Sequence, residues 1–575
     1  MKFKQLAVAL SLIAIIGILL IFTNQEKEFD DSQKVGMNFI KCTPAKFLLT
    51  DVDTTKQISP LFENLGNHSH KVSTDNELAQ RFFNQGLRLT YAFNHAEAHR
   101  SFMEAARLDS KLAMAYWGQA YTLGPNINDP LPDDERKKKY NEAIAHASKL
   151  APMASKKEQA LIEALTHRYS TDLEKDVAEL NLAYMQAMEK VASDYSQDAD
   201  VLTLYAASVM NTVPWNYWDK EGNPSPNITE AKNALEKAMA LSPDNPGAHH
   251  YYIHMVELPK PDLAVPSAEK LGSLMPAAGH IVHMPSHIYI RVGRYKDAVL
   301  ANQKAILADE DYISQCYAQG MYPLGYYPHN IHFLWSASSL LGNSEMAIDA
   351  AKKTAEKVPI GEMEELHFLQ NFAATPLLAY TRFGKWNDIL TYPKPNDSIK
   401  HLKLIWHYTR GIAFTRKSNS KEAKEELDAI KQLINDPQME SIYASGFDNG
   451  TTIAKLAYEV VAGEIASLEG NFNLAIKHMQ KAVEMEDNLI YNEPSAWHIP
   501  PRQNLGAILL KAEKYAEAES IYLEDLKVLR QNGWSLMGLY ESLVAQNKMD
   551  EATAIMQEFN KAWEDADIDI KTSIL

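Results

Sequence analysis

Eight of the nineteen histidines of this chain fall between residues 249 and 332. His250 and His254 are four apart, with His249 beside them. His280, His283 and His287 are three and four apart, and His329 and His332 are three apart. On a helix such spacings place side chains on one face. Two imidazoles one turn apart form a bidentate chelate, and neutral imidazole is a ligand for zinc, copper, iron and nickel. These eight residues are the candidate metal ligands. The bland alternative for each is a hydrogen bond to a nearby backbone group or tyrosine.

The histidines also keep a phase. His249, His283 and His332 each precede a small residue by fifteen positions: Ala264, Ala298 and Ala347. His280 and His329 precede Ala298 and Ala347 by eighteen. Aromatic residues crowd the same stretch. Tyr251, Tyr289, Tyr326, Tyr327 and Trp335, with the distant His498, are the candidate ligand-binding residues. Large aromatics at helical spacing also serve as ordinary packing between helices. His68, His70, His95, Asn126, Asn128 and Asp129 form a flanking polar set, and Glu257 and Asp311 are the nearest carboxylates in sequence.

Other chemistry is not written here. The zincin pattern His-Glu-x-x-His is absent, because Tyr251 follows His250 and Met284 follows His283. A phosphate loop, Gly-x-Gly-x-x-Gly and Gly-x-Ser-x-Gly are absent too. Two cysteines, Cys42 and Cys316, exclude a disulfide framework. Lone Cys316 reads as a buried free thiol.

The elements that must position these residues are helices. From Asp75 onward apolar residues recur at three- and four-residue spacing, and strand-like alternation is nearly missing. Gly86 precedes Ala98 by twelve, with Phe102 and Ala105 following; Gly463, Ala475, Met479 and Ala482 repeat the spacing. Gly506, Ala518 and Tyr522 repeat it again. Small residues let two helices approach, and the bulky residue four positions later fills the gap to the next pair. Breaks rich in Pro, Asn, Gly or aromatics fall at 124–135, 213–227, 322–328, 392–397, 435–449 and 492–501. Long loops in repeat arrays collect on one rim and often carry function.

This pattern resembles the tetratricopeptide repeat, best at Leu87 to Leu108, His283 to Leu307, Leu456 to Val483 and Asn504 to Leu526. Short segments such as Phe93-Asn94-His95, Gly124-Pro125-Asn126-Ile127-Asn128 and Tyr327-Pro328-His329-Asn330-Ile331-His332 resemble a group of exported bacterial tetratricopeptide proteins of unknown role. The resemblance implies an all-α, right-handed superhelical solenoid of antiparallel helix pairs over 75–575. It also implies that the first helix of each pair lines a concave groove, so the histidines should form a row there.

At 575 residues the chain exceeds one ordinary core, which a solenoid accommodates repeat by repeat. The net charge of -17 argues against nucleic acid as a partner. Lys2 and Lys4 precede an apolar run from Leu6 to Phe22, then a polar stretch. That order is an export signal, read here as a signal peptide or membrane anchor over 1–23, with a tether over 24–74. The protein is expected to lie outside the cytoplasmic membrane, anchored to it or periplasmic or secreted. Two functions stay open: a scaffold whose groove binds a protein, peptide or small molecule, and a metal-dependent enzyme or metal-handling protein using zinc, copper or iron.

Overall fold

The computed structural model describes residues 55–315 and 322–575. Among them the chain is helical, with two isolated bridges, Asn126 to Asp129 and Trp218 to Pro224, in place of any strand. Consecutive helices pack as pairs, beginning with Glu77–Tyr91 against His95–Leu108. Asn76 and Asn94 cap these two helices by accepting backbone N–H groups of their first turns. Ser155 and Glu158 form a reciprocal capping box further on.

The packing logic read from small residues is physically present. A Cβ on Gly86 would come within 2.7 Å of the Phe102 ring, and one on Gly118 within 2.5 Å of the same ring. Gly506 and Gly538 stand in the same relation to Tyr522, at 2.3 and 2.2 Å. One aromatic ring from the second helix of a pair thus wedges between glycines of two successive first helices. Such contacts leave no room for a methyl group.

The array coils tightly enough to touch itself. Tyr295 donates its hydroxyl proton to the Arg530 carbonyl at 2.8 Å, and Trp534 Nε1 donates to the Ser339 carbonyl at 3.0 Å. Arg530 forks onto both oxygens of Asp262 at 2.7 and 2.8 Å. Near the start of the array, His250 Nδ1 reaches the Tyr91 carbonyl at 2.6 Å. The middle third of the chain is therefore walled in by earlier and later helices, and the expected row of histidines lies in the interior instead of along an open groove.

The expected tether ends earlier than 74. Residues 55–74 are pinned to the helices: Ser59 Oγ bonds Glu97 at 2.6 Å, Phe62 N bonds Gln85 at 2.9 Å, and Ser73 N bonds Glu158 at 2.7 Å. Polar side chains and backbone N–H groups in this stretch supply the attachments, a signal that helical periodicity does not register. The apolar run Leu6–Phe22, the rest of the expected tether and Cys316 lie outside the described residues. Among the described residues no helix is long and apolar enough to cross a membrane.

Candidate metal centre

Three helical segments carry the histidines. Pro246–Val256, capped by Asn245, presents His250 and His254 one turn apart. Gly279–His283 and Pro285–Arg291 run on from each other, interrupted where Pro285 has no N–H to donate, and present His280, His283 and His287. Tyr327–Leu341, entered through a π-helical turn at Tyr322–Tyr326, presents His329. Only glycine fits at 279, where a Cβ would lie 1.9 Å from Asp309 Oδ1. Asp309 in turn accepts protons from Tyr322 at 2.7 Å and Asn330 at 2.7 Å, and burial pushes it up to about 7.

His250, His254 and His280 form the first triad, with one ligand atom from each lying within 4.8 Å of the others. A carbonyl can only accept, so the contact with Tyr91 O places the His250 proton on Nδ1 and leaves the Nε2 lone pair free. His254 turns Nδ1 toward Glu257 Oε1 at 3.4 Å, and its Nε2 has no partner. Neither nitrogen of His280 has one. Three buried nitrogens thus converge without hydrogen bonds. Burial holds His250, His254 and His280 below the usual imidazole range, so they are neutral.

His283, His287 and His329 form the second triad, again within 4.8 Å. Asn302 Nδ2 donates to the Ala298 carbonyl, which turns Oδ1 toward His283 Nδ1 at 2.7 Å. His283 therefore donates from Nδ1 and offers a lone pair at Nε2. That nitrogen lies 2.9 Å from His287 Nε2. Burial and neighbouring imidazoles hold His283 and His329 well down.

Glu257 joins the two triads. Its Oε1 faces His254, and its Oε2 lies 3.0 Å from His287 Nδ1, where Glu493 Oε2 also lies at 3.2 Å. Neither Oε2 lies along the His287 N–H direction, although both are close. Burial lowers His287, but Glu257 and Glu493 outweigh it and hold the imidazole up at about 10. Glu257 is held down at about 2, since His287 and His254 outweigh its burial. His254, Glu257 and His287 could themselves hold an ion. A neutral imidazole has one lone pair, so His254 and His287 can serve either this central position or the two outer triads.

A cavity of about 290 Å³ borders both triads, with His254 and His280 of the first and His287 and His329 of the second in its wall. Every sequence break except 392–397 sends residues to that wall: Asn126 and Asp129, Trp215, Tyr322 and Tyr326, Gly446 and Phe447, Glu493 and Pro494. Phe93 and Trp215 adopt the left-handed backbone region, φ 57° and 63°, which costs a non-glycine residue about 1–3 kcal/mol. The Phe93 ring lies 4.3 Å from His250 and 5.4 Å from His280, and Trp215 meets His254 edge-on at 5.1 Å. The strain aims two aromatic rings at the first triad.

The remaining candidates are placed elsewhere. His249 bonds Ser267 Oγ and the Pro243 carbonyl, both at 2.9 Å, and belongs to neither triad. It sits one position off His250, on a different helical face. His332 also misses the triads: it stacks on Trp335 at 4.8 Å, with Nε2 unpartnered, and lines the cavity. Of the ligand-binding candidates, Tyr326 lines the cavity. Tyr251 packs beside Phe93, Tyr289 lies under Arg294, Tyr327 bonds Glu310, and Trp335 and His498 pack near each other behind the wall. His95, expected in the flanking set, does reach the cavity wall. Phe93, Trp215 and Glu493 are not among the sequence candidates, although Trp215 and Glu493 lie in breaks marked by composition.

His68 and His70 meet a different carboxylate. Asp200 accepts from His68 Nε2, His70 Nδ1, the Tyr91 hydroxyl and Asn245 Nδ2 at 2.8–3.0 Å. His70, Asp198 and Asp200 are close enough to hold an ion. Four donors already saturate Asp200, so this group is a structural clasp.

No known protein family and no curated protein matches the sequence. Among solved structures, the human IFIT1 dimer with m7Gppp-AAAA is 13% identical and covers 85% of this chain and 91% of its own, at a TM-score of 0.29. Yeast Tom70 is 13% identical, covering 84% and 90%, at 0.26. The Cut9–Hcn1 hetero-tetramer of APC/C is 13% identical, covering 85% and 77%, at 0.29. Scores of this size leave the helix contacts within the chain to define its architecture.

Proposed function

We propose that this protein binds two transition-metal ions, one on His250, His254 and His280 and one on His283, His287 and His329, and presents them to a small molecule in the adjoining cavity. The observation that carries the reading is the set of imidazole nitrogens aimed at two common points. His250 and His283 have their other nitrogens anchored, by a backbone carbonyl and by Asn302. Second-sphere bonds of this kind fix tautomer and ring orientation for ligation. A buried polar atom left without a partner costs about 1–3 kcal/mol, and the first triad holds four such nitrogens. An ion bound there would take up three of the four, one from each imidazole.

Three imidazoles per ion leave a coordination position open, as catalytic sites do and structural ones do not. Glu257 serves as the shared outer carboxylate. Zinc, copper, iron and nickel all suit an imidazole set. The cavity volume suits a small molecule and not a folded partner. Export and membrane attachment remain part of the proposal through the Lys2 to Phe22 signal.

Equilibrium dialysis of chelator-stripped protein against zinc, copper and iron tests the reading. Two equivalents of one metal, with helicity unchanged, are expected. One equivalent that disappears in Glu257→Ala would place the ion at the central carboxylate position instead.

A further inference from the structure

We propose that the cavity beside the triads takes a small aromatic molecule bearing hydroxyl groups, of the catechol type; this rests on the metal-centre reading above. The wall is mostly ring: Phe93, Trp215, Tyr326, Phe372 and Phe447 are in it. About 290 Å³ is room for one substituted ring between such faces. A sugar of similar size would leave most of its hydroxyls against hydrocarbon.

The charged side chains of the wall already face partners within the protein. Arg136 is paired with Asp129 and donates to the Leu123 and Gly124 carbonyls as well. Glu257 and Glu493 face His287. Apart from the two ions, the wall offers a charged ligand no free counter-charge, so what it adds to metal binding is a choice among ligands by ring and hydroxyl.

Two histidines of the wall that belong to neither triad keep buried, unpartnered nitrogens. His95 has both nitrogens buried and unpartnered, and His332, 4% exposed, has Nε2 unpartnered. A neutral imidazole offers one donor and one acceptor, and a hydroxyl offers the same pair in return. The hydroxyls of a catechol match such nitrogens in donor and acceptor, and phenolic oxygens are ligands for the open metal positions.

The test is calorimetric titration of the metal-loaded full chain with catechol, using 1,2-dimethoxybenzene, which keeps the ring and lacks the hydroxyl protons, as the control. Metal content and helicity are measured on the same samples. Catechol is expected to bind, the dimethoxy compound at least tenfold more weakly. His332→Phe and His95→Phe keep the ring shape, and each should weaken catechol binding about five- to tenfold with two metals retained. A loaded wild type that binds no catechol, or binds it equally well in both variants, overturns this inference and leaves the metal centre standing. A wild type that takes up no metal overturns the centre and this inference with it.

Discussion

His283 Nε2 and His287 Nε2 face each other at 2.9 Å, and the first of them carries a lone pair because Nδ1 is committed to Asn302. Two lone pairs do not meet at that distance in a stable interior. Either a proton sits on His287 Nε2, or a metal ion takes both nitrogens. The carboxylates of Glu257 and Glu493 behind His287 hold that imidazole protonated up to about pH 10. Loading the second triad therefore displaces a proton. Metal affinity there should rise about tenfold per pH unit between pH 7 and 9, measured by competition with a chelator of known pH dependence. A flat profile would mean that His287 is not a ligand.

Glu257 touches one histidine of each triad through its two oxygens. Glu257→Gln keeps the shape and removes the charge. Both ions should remain, each held about 10- to 100-fold less tightly, because an outer carboxylate raises ligand basicity. Competitive titration reads this directly, and loss of a whole equivalent would give Glu257 a place in the coordination sphere.

Asp200 clasps the segment His68 to His70 onto Tyr91 and Asn245. Tyr91 in turn supplies the carbonyl that orients His250. Asp200→Ala strands four donors and should cost about 3–5 kcal/mol of stability. Thermal melts should show the loss, and occupancy of the first triad should fall before that of the second.

Acid should unfold the metal-free protein early. Burial holds His95, His332 and His498 down at about 3, and His99 and His401 at about 4, against 6.5 in the unfolded chain. The unfolded state takes up protons below pH 6.5 that the folded state refuses. Their contribution is therefore complete above pH 6.5 and is lost as pH falls toward 3. Melting temperature should drop steeply across that window.

Much of this was legible before any coordinates. Glycine and alanine spacing announced the helix pairs, and Phe102 between Gly86 and Gly118 shows why: a repeat needs a small residue wherever its neighbour places a ring. The four-residue spacing of His250 with His254 and of His283 with His287 places each pair on one helical face, as the structure has them. The phase argument erred by one residue at His249, because the step from His250 to His283 is 33 where the alanines step by 34. At His332 it marks a residue that lines the cavity without joining a triad, whereas His329, three positions earlier, joins one. Glu493 and Trp215 could not be tied to the histidines from sequence, because only the self-contact of the coil brings those loops to the centre.

Elemental analysis of metal-replete protein tests the central claim most directly. The account predicts two ions per chain in the wild type, one in His280→Ala, one in His329→Ala, and none when both are changed. A wild type that carries no metal, or an ion that survives the double substitution, would contradict it.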